Sequence, residues 1–220
     1  MRKIFLCLLV ACFSLCLGLS QAEALAKIPP GSSVLVVEPG FAGRDIALSD
    51  CASRLELAHL LVEPIAQQLQ SKSRLSVQDF VTQTQKTEDE LKATGGLSQN
   101  DAIALGRQAG VDYVAYGDII GFGLERPENE SLVGYSYKIT MKLQMTLRLI
   151  DVKSGRIVGA SHGSGESSLR TEWGAFAPNT IITGSERDND VRILIGDTLN
   201  QAADDAVNGL ITQLGIGRKK

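Results

Sequence analysis

Cysteine and histidine are scarce in this 220-residue chain. Of its four cysteines only Cys51 lies beyond the first 22 residues, and its two histidines are His59 and His162. Neither a disulfide framework nor a Cys/His zinc site can be assembled from that set within one chain. Basic blocks are missing too, since 22 Lys and Arg face 25 Asp and Glu for a formal net charge of -3. Gripping nucleic acid requires clustered cations that displace counterions, so nucleic acid is not an expected partner. Phosphate loops are absent: Gly121-Phe122-Gly123 lacks a third glycine, and no G-x-x-x-x-G-K-[ST] occurs. No cofactor or metal is expected.

The chain opens with Arg2 and Lys3, and then a nearly unbroken apolar run from Ile4 to Leu19. Small residues follow at Ser20-Gln21-Ala22. This pattern predicts a secretory signal peptide over 1–22 and hence export. Its apolar run of about 16 residues falls short of the roughly 20 that a membrane-spanning helix needs. Cleavage there removes two cations and no acid, which takes the formal charge from -3 to -5. Leu9-Val10-Ala11-Cys12 matches the small-residue pattern that precedes an acylated cysteine, which makes Cys12 a candidate lipidation site. The apolar run continues past it, however, whereas a lipoprotein chain turns polar there.

A Pro/Gly linker over 23–32 is expected to lead into one domain at 33–214, followed by a basic tail at 215–220. Ser33 to Val37 suits a buried strand bounded by Pro39-Gly40. From about Asp50, a plausible N-cap, Leu55, Ala58, Leu61, Val62, Ile65 and Leu69 recur at helical spacing, with Pro64 expected to kink or restart the helix. A short strand near Leu75 to Val77 precedes a polar helical stretch ending at Gly95-Gly96. Ser98 then caps a helix carrying Ala102, Leu105 and Ala109, which Gly110 terminates.

The next strand runs from Val111 to Ile120. The strongest periodicity follows it: Tyr137, Ile139, Met141, Leu143, Met145, Leu147 and Leu149 are apolar, and every residue between them is polar. A period of two over thirteen residues predicts a half-buried strand of roughly 43 Å, about twice the usual length, whose far end extends beyond the core. Asp151 to Arg156 supplies a turn with Gly155 at positive φ, and Ile157 to about Ser161 returns antiparallel. Asp190 is expected to cap a closing helix with Ile195, Leu199, Ala202, Ala206 and Leu210 on one face. The predicted fold class is α/β, a mixed sheet flanked by helices with a long β-hairpin extending from the core.

Catalytic patterns fail on context. Gly159-Ala160-Ser161-His162-Gly163 matches G-x-S-x-G, but no helix signal follows it, and His162 sits beside the serine rather than later in the chain. Small residues that let a strand pass close to a neighbour explain the segment better. Cys51 lacks an activating neighbour, His59 falls within an amphipathic helix, and Asp118 and Asp151 give no sign of facing one another as a glycosidase pair would. No enzymatic activity is expected.

The run GVDYVAYGDIIG at 110–121, with LQMTLRLIDV at 143–152 and KSGRIV at 153–158, resembles the CsgG family of curli secretion channel subunits. DAIALGRQAG at 101–110 and DTLNQAADDAVNGLITQL at 197–214 fall where that family has helices. The strand-turn-strand signature is also similar to that of LpoB-type activators of peptidoglycan synthases. The resemblance implies a periplasmic domain that self-associates at the outer membrane, with envelope proteins or an exported polypeptide as partners. It implies a first barrel hairpin at about 119–145 and a second at about 167–190. The strand carrying Tyr137, Ile139, Met141, Leu143 and Met145 would face membrane or partner, and a loop after the first strand, holding Phe41 and Arg44, would narrow a pore. In the second segment Arg170 and Glu172 share a strand face with Phe176, a charge pair costly to expose to lipid. Two functions therefore stay open, a channel-forming subunit and an accessory or regulatory module that binds another envelope protein.

Overall fold

The computed structural model describes residues 28–42, 53–78, 97–125, 128–131, 134–174 and 184–218. Its elements in chain order are β1 (Ser33–Val36), β2 (Gly40–Phe41), α1 (Arg54–Lys72), β3 (Ser76–Gln78), α2 (Gln99–Ala109), β4 (Tyr113–Glu125), β5 (Glu128–Ser131), β6 (Gly134–Asp151), β7 (Ile157–Gly174) and α3 (Gly184–Leu214). The seven strands form one mixed sheet. β1 pairs parallel with both β3 and β4, whereas β4–β6 and β6–β7 are antiparallel. β2 extends the β1 line along β4, and β5 extends the β4 line along β6. The predicted fold class is observed.

Burial follows from the pleat. Val34 and Val36 of β1 join a core cluster with α1 and α3, while Leu35 and Val37 join another with Ala102 and Ile103 of α2. A strand covered on both faces needs an unbroken apolar run, which is what β1 has. In β6 the pattern is one-sided. Ile139, Met141, Leu143, Met145, Leu147 and Leu149 all lie in the α1/α3 cluster, while α2 reaches only Ile150 and Val152 on the other face. The polar residues Lys142 and Gln144 are exposed.

Both of the first two helices begin at serines. Ser53 Oγ accepts from Glu56 N–H at 3.1 Å. Ser98 and Asp101 form a reciprocal capping box, and Gly110 ends α2 in the left-handed region at φ 69°. Lys72 ties α1 to α3 through an ion pair with Asp204 and a 3.0 Å bond to Asn208 Oδ1.

Several boundaries differ from expectation. Ser53 rather than Asp50 caps α1, and Pro64 lies within an unbroken helix. Proline removes one hydrogen bond to the carbonyl four residues back, here that of Leu60, an exposed residue. β7 continues to Gly174 rather than ending near Ser161, and Asp190 lies inside α3 rather than at its cap. The expected linker and tail both enter the core: Ile28 is 3% exposed and Ile216 2%. Ser73 bridges to Gly217, and Arg218 N–H donates to Lys72 O at 2.9 Å. The polar helical stretch expected before Gly95-Gly96 lies outside the described residues.

Candidate functional site

The β6–β7 hairpin dominates the molecule. Its strands are 18 residues each and stay paired from Ile150–Ile157 beside the turn out to Gly134–Gly174. Asp151 Oδ1 accepts from Ser154 N–H at 2.7 Å and Gly155 takes φ 70°, which together form the turn.

The apolar side of the hairpin is closed by α3. Gly159, Gly163 and Gly165 of β7 face the helix; Gly159 meets the Leu214 side chain, and at Gly163 and Gly165 the approach is at backbone contact. A Cβ on Gly163 would stand 2.1 Å from Ala202 O, and one on Gly165 would stand 2.0 Å from Thr198 O. Ser161 belongs to the same stripe and donates its hydroxyl to Ala206 O at 2.6 Å. The G-x-S-x-G pattern is therefore a seat for α3, with the serine held as a donor to the helix backbone.

The other side is an open polar sheet. Asp118 of β4 accepts from Arg148 Nη1 through Oδ2 at 2.5 Å and from the Tyr116 hydroxyl through Oδ1 at 3.1 Å. The same hydroxyl lies 2.5 Å from Leu97 O. Burial raises the Tyr116 pKa far above that of a free phenol, and the Asp118 carboxylate adds to the shift, so this phenol stays protonated. Further out, Lys142 Nζ pairs with Glu125 at 3.1 Å, and the contact with Glu125 holds the ammonium pKa up. Gln144, His162, Ser164 and Glu166 complete an exposed polar surface. The alternating polar residues of β6 are the sequence signal for this face. Its β7 half had none, because small residues obscured the strand.

The residues singled out in the sequence fall apart spatially. Ile139, Met141, Leu143 and Met145 are no more than 3% exposed. In the single chain α3 supplies apolar surface that they pack against. Tyr137 lies on β6 with its side chain outside the described residues. Phe41 is a buried β2 residue in register with Ile119, and the Arg54 guanidinium sits 5.2 Å from its ring centroid. Arg44, Cys12 and Cys51 lie outside the described residues. The expected second hairpin at 167–190 is described only in part. Its first part pairs with β6, its last part is helical, and 175–183 lies outside the described residues.

Asp118 and Asp151 serve separate structures, an ion pair and a turn. His59 Nδ1 stands 3.5 Å from Glu38 Oε1. A cleft of about 410 Å³ opens at the end of the sheet beside Arg107, Asp112, Tyr113, Asp151 and Lys153. Asp112 Oδ2 there accepts from Ser33 N–H at 2.8 Å and from its hydroxyl at 2.9 Å, so this carboxylate anchors β1 to the start of β4. Burial, with Asp151 and then Asp112 nearby, raises the Tyr113 pKa. Among the described residues no helix is long and apolar enough to cross a membrane.

The family profile described as "Curli production assembly/transport component CsgG" matches residues 83–219, which include the whole hairpin, α2 and α3. This chain belongs to the CsgG family. No curated protein matches it. Among solved structures, the LpoB C-terminal domain from Salmonella enterica is 21% identical, over 66% of this chain and 87% of that one, with a TM-score of 0.35. The PelC dodecamer from Paraburkholderia phytofirmans is 12% identical, over 83% and 91%, with a TM-score of 0.36. Lipoprotein GNA1162 from Neisseria meningitidis is 18% identical, over 74% and 96%, with a TM-score of 0.34. In this CsgG-family chain the matched segment contains the hairpin and the helix seated on it.

Proposed function

We propose that this CsgG-family chain is a non-enzymatic cell-envelope protein, exported to the periplasm, that self-assembles at the outer membrane and serves protein export. The observation that carries the reading is the family match over 83–219, a segment built around the paired 18-residue strands β6 and β7. Five cross-strand pairs, from Gly134–Gly174 to Lys138–Arg170, lie beyond Ile139, the last described core residue of β6. A paired extension of that kind gives copies of the chain a common element through which to meet. Ser161, Asp118 and Asp151 are engaged in structural contacts, in keeping with a role in assembly and transport. Native mass spectrometry of detergent-extracted protein tests the reading. A closed ring of many copies is the expected result, and a population of only monomer and dimer would overturn it.

A second reading draws on the burial of Ile139, Met141, Leu143 and Met145. With the apolar side of β6 covered by α3, this length of the hairpin offers lipid no apolar face. An accessory or regulatory module would instead present the open polar sheet to another envelope protein. Monomer or dimer in the same experiment is its expected outcome.

A further inference from the structure

β7 closes the sheet on one side, with β6 as its strand partner. An edge strand presents a row of outward N–H groups that any other strand can pair with. Three of these groups are bonded nonetheless. Glu166 N–H donates to Gln201 Oε1 at 3.2 Å, Ser164 N–H to Asp205 Oδ2 at 3.0 Å and Ala160 N–H to Gln213 Oε1 at 3.0 Å. All three acceptors stand on α3. Asp205 also accepts from the Ser164 hydroxyl at 3.3 Å, and Gln201 Nε2 donates to Ser167 Oγ at 3.2 Å.

The spacing explains how one helix serves one strand. Acceptors at 201, 205 and 213 are multiples of four residues apart, about 6 Å for each step along a helix. The N–H groups at 166, 164 and 160 are multiples of two apart, about 6.7 Å for each step along a strand. The two ladders stay in phase for three helical turns. The missing position in the helix series is Gly209, where a Cβ would meet Ser161 Cβ at 3.1 Å and His162 O at 4.0 Å. The opposite edge is treated alike: Val77 N–H of β3 donates to Gln70 Oε1 of α1 at 3.0 Å.

We propose that α3 is an edge guard, which prevents β7 from pairing edge to edge with β7 of a second copy over residues 160–166. The second copy is the fitting occupant because two β7 strands related by a two-fold axis near Gly163 meet antiparallel. That pairing sets Glu166 opposite Ala160 and His162 opposite Ser164, so no like charges face one another. Without the three acceptors, nothing in the side-chain pattern opposes the match. The guard is a property of the fold of the single chain, and it holds whether or not the assembly role proposed above is correct.

The test compares the full chain with its Q201A/D205A/Q213A variant, by residue-resolved hydrogen exchange and by sedimentation velocity over a concentration series. At low concentration the N–H groups of Ala160, Ser164 and Glu166 should exchange about tenfold faster in the variant, as the loss of a net hydrogen bond implies. At higher concentration the variant should sediment as a species twice the mass of wild type, with protection at 160–166 restored. Asp205→Asn keeps an acceptor and should behave as wild type. Unchanged exchange would overturn the cap. Faster exchange with wild-type sedimentation at every concentration would overturn the guard. If the triple variant does not fold, Gln213→Ala carries the exchange readout at Ala160, and an unchanged rate there overturns the proposal.

Discussion

Gly163→Ala adds one methyl group where the structure has no room for one. The new Cβ would stand 2.1 Å from Ala202 O, and 2.7 Å from both Ala206 Cβ and Ala206 N. Non-bonded heavy atoms settle at roughly 3.5 Å, so α3 must lift by about 1 Å at this point. The obstacle is helix backbone, which cannot rotate aside as a side-chain tip would. A gap of that size forfeits about a quarter to a half of each dispersion contact nearby, and Ala202, Ala206 and Leu210 are fully buried against it. Overpacking costs about 1–3 kcal/mol; the gain from replacing glycine, about 0.4–1 kcal/mol, partly offsets this. A net loss of about 1 kcal/mol is expected, which lowers Tm by roughly 2–4 °C in a chain of this size. Urea unfolding followed by circular dichroism measures it against Gly123→Ala, a strand position where an added Cβ meets nothing within 4 Å. If the two variants unfold at the same urea concentration, the close seating of α3 on β7 is refuted.

Tyr116→Phe removes a hydroxyl bonded to Leu97 O and Asp118 and should cost about 1 kcal/mol near neutral pH. The pKa of Tyr116 is raised in the folded state, so stability is unaffected below about pH 10, where the phenol is protonated folded and unfolded. Above that it falls as the pH rises, because the unfolded chain releases a proton that the folded one keeps. Urea midpoints from pH 8 to 11 should therefore decline less steeply for Tyr116→Phe than for wild type, and parallel curves would contradict the burial. Ser98→Ala breaks the capping box of α2 and should cost about 1 kcal/mol, measured by the same unfolding. Amide exchange at Asp101 should speed up along with it.

Much of the fold was legible because local chemistry repeats where tertiary contact is uniform. The alternation through β6 marked a one-sided strand, since a single helix layer covers every second residue. Ser98, Gly110 and Gly155 marked a cap, a stop and a turn that depend on their own backbone alone. β7 was harder to see. Gly159, Ser161, Gly163 and Gly165 carry no apolar signal, because the space opposite Leu149 to Leu143 is filled by α3 itself, by its Leu214 side chain at Gly159 and by its backbone at Gly163 and Gly165. A strand that achieves contact by omitting side chains looks, in one dimension, like a loop. The candidate site suffered from the converse. Ile139 to Met145 carried the strongest signal, yet their apolar face cannot say whether helix, lipid or partner covers it.

By itself the sequence determined the excluded chemistries, the period of each main element and the family signature, since composition and spacing are properties of the chain. Only the tertiary structure decided that α3 sits on the apolar face of the hairpin and that Gln201, Asp205 and Gln213 close its edge. Those contacts join residues about 35 to 53 positions apart. Their geometry exists only once helix rise and strand rise are set side by side.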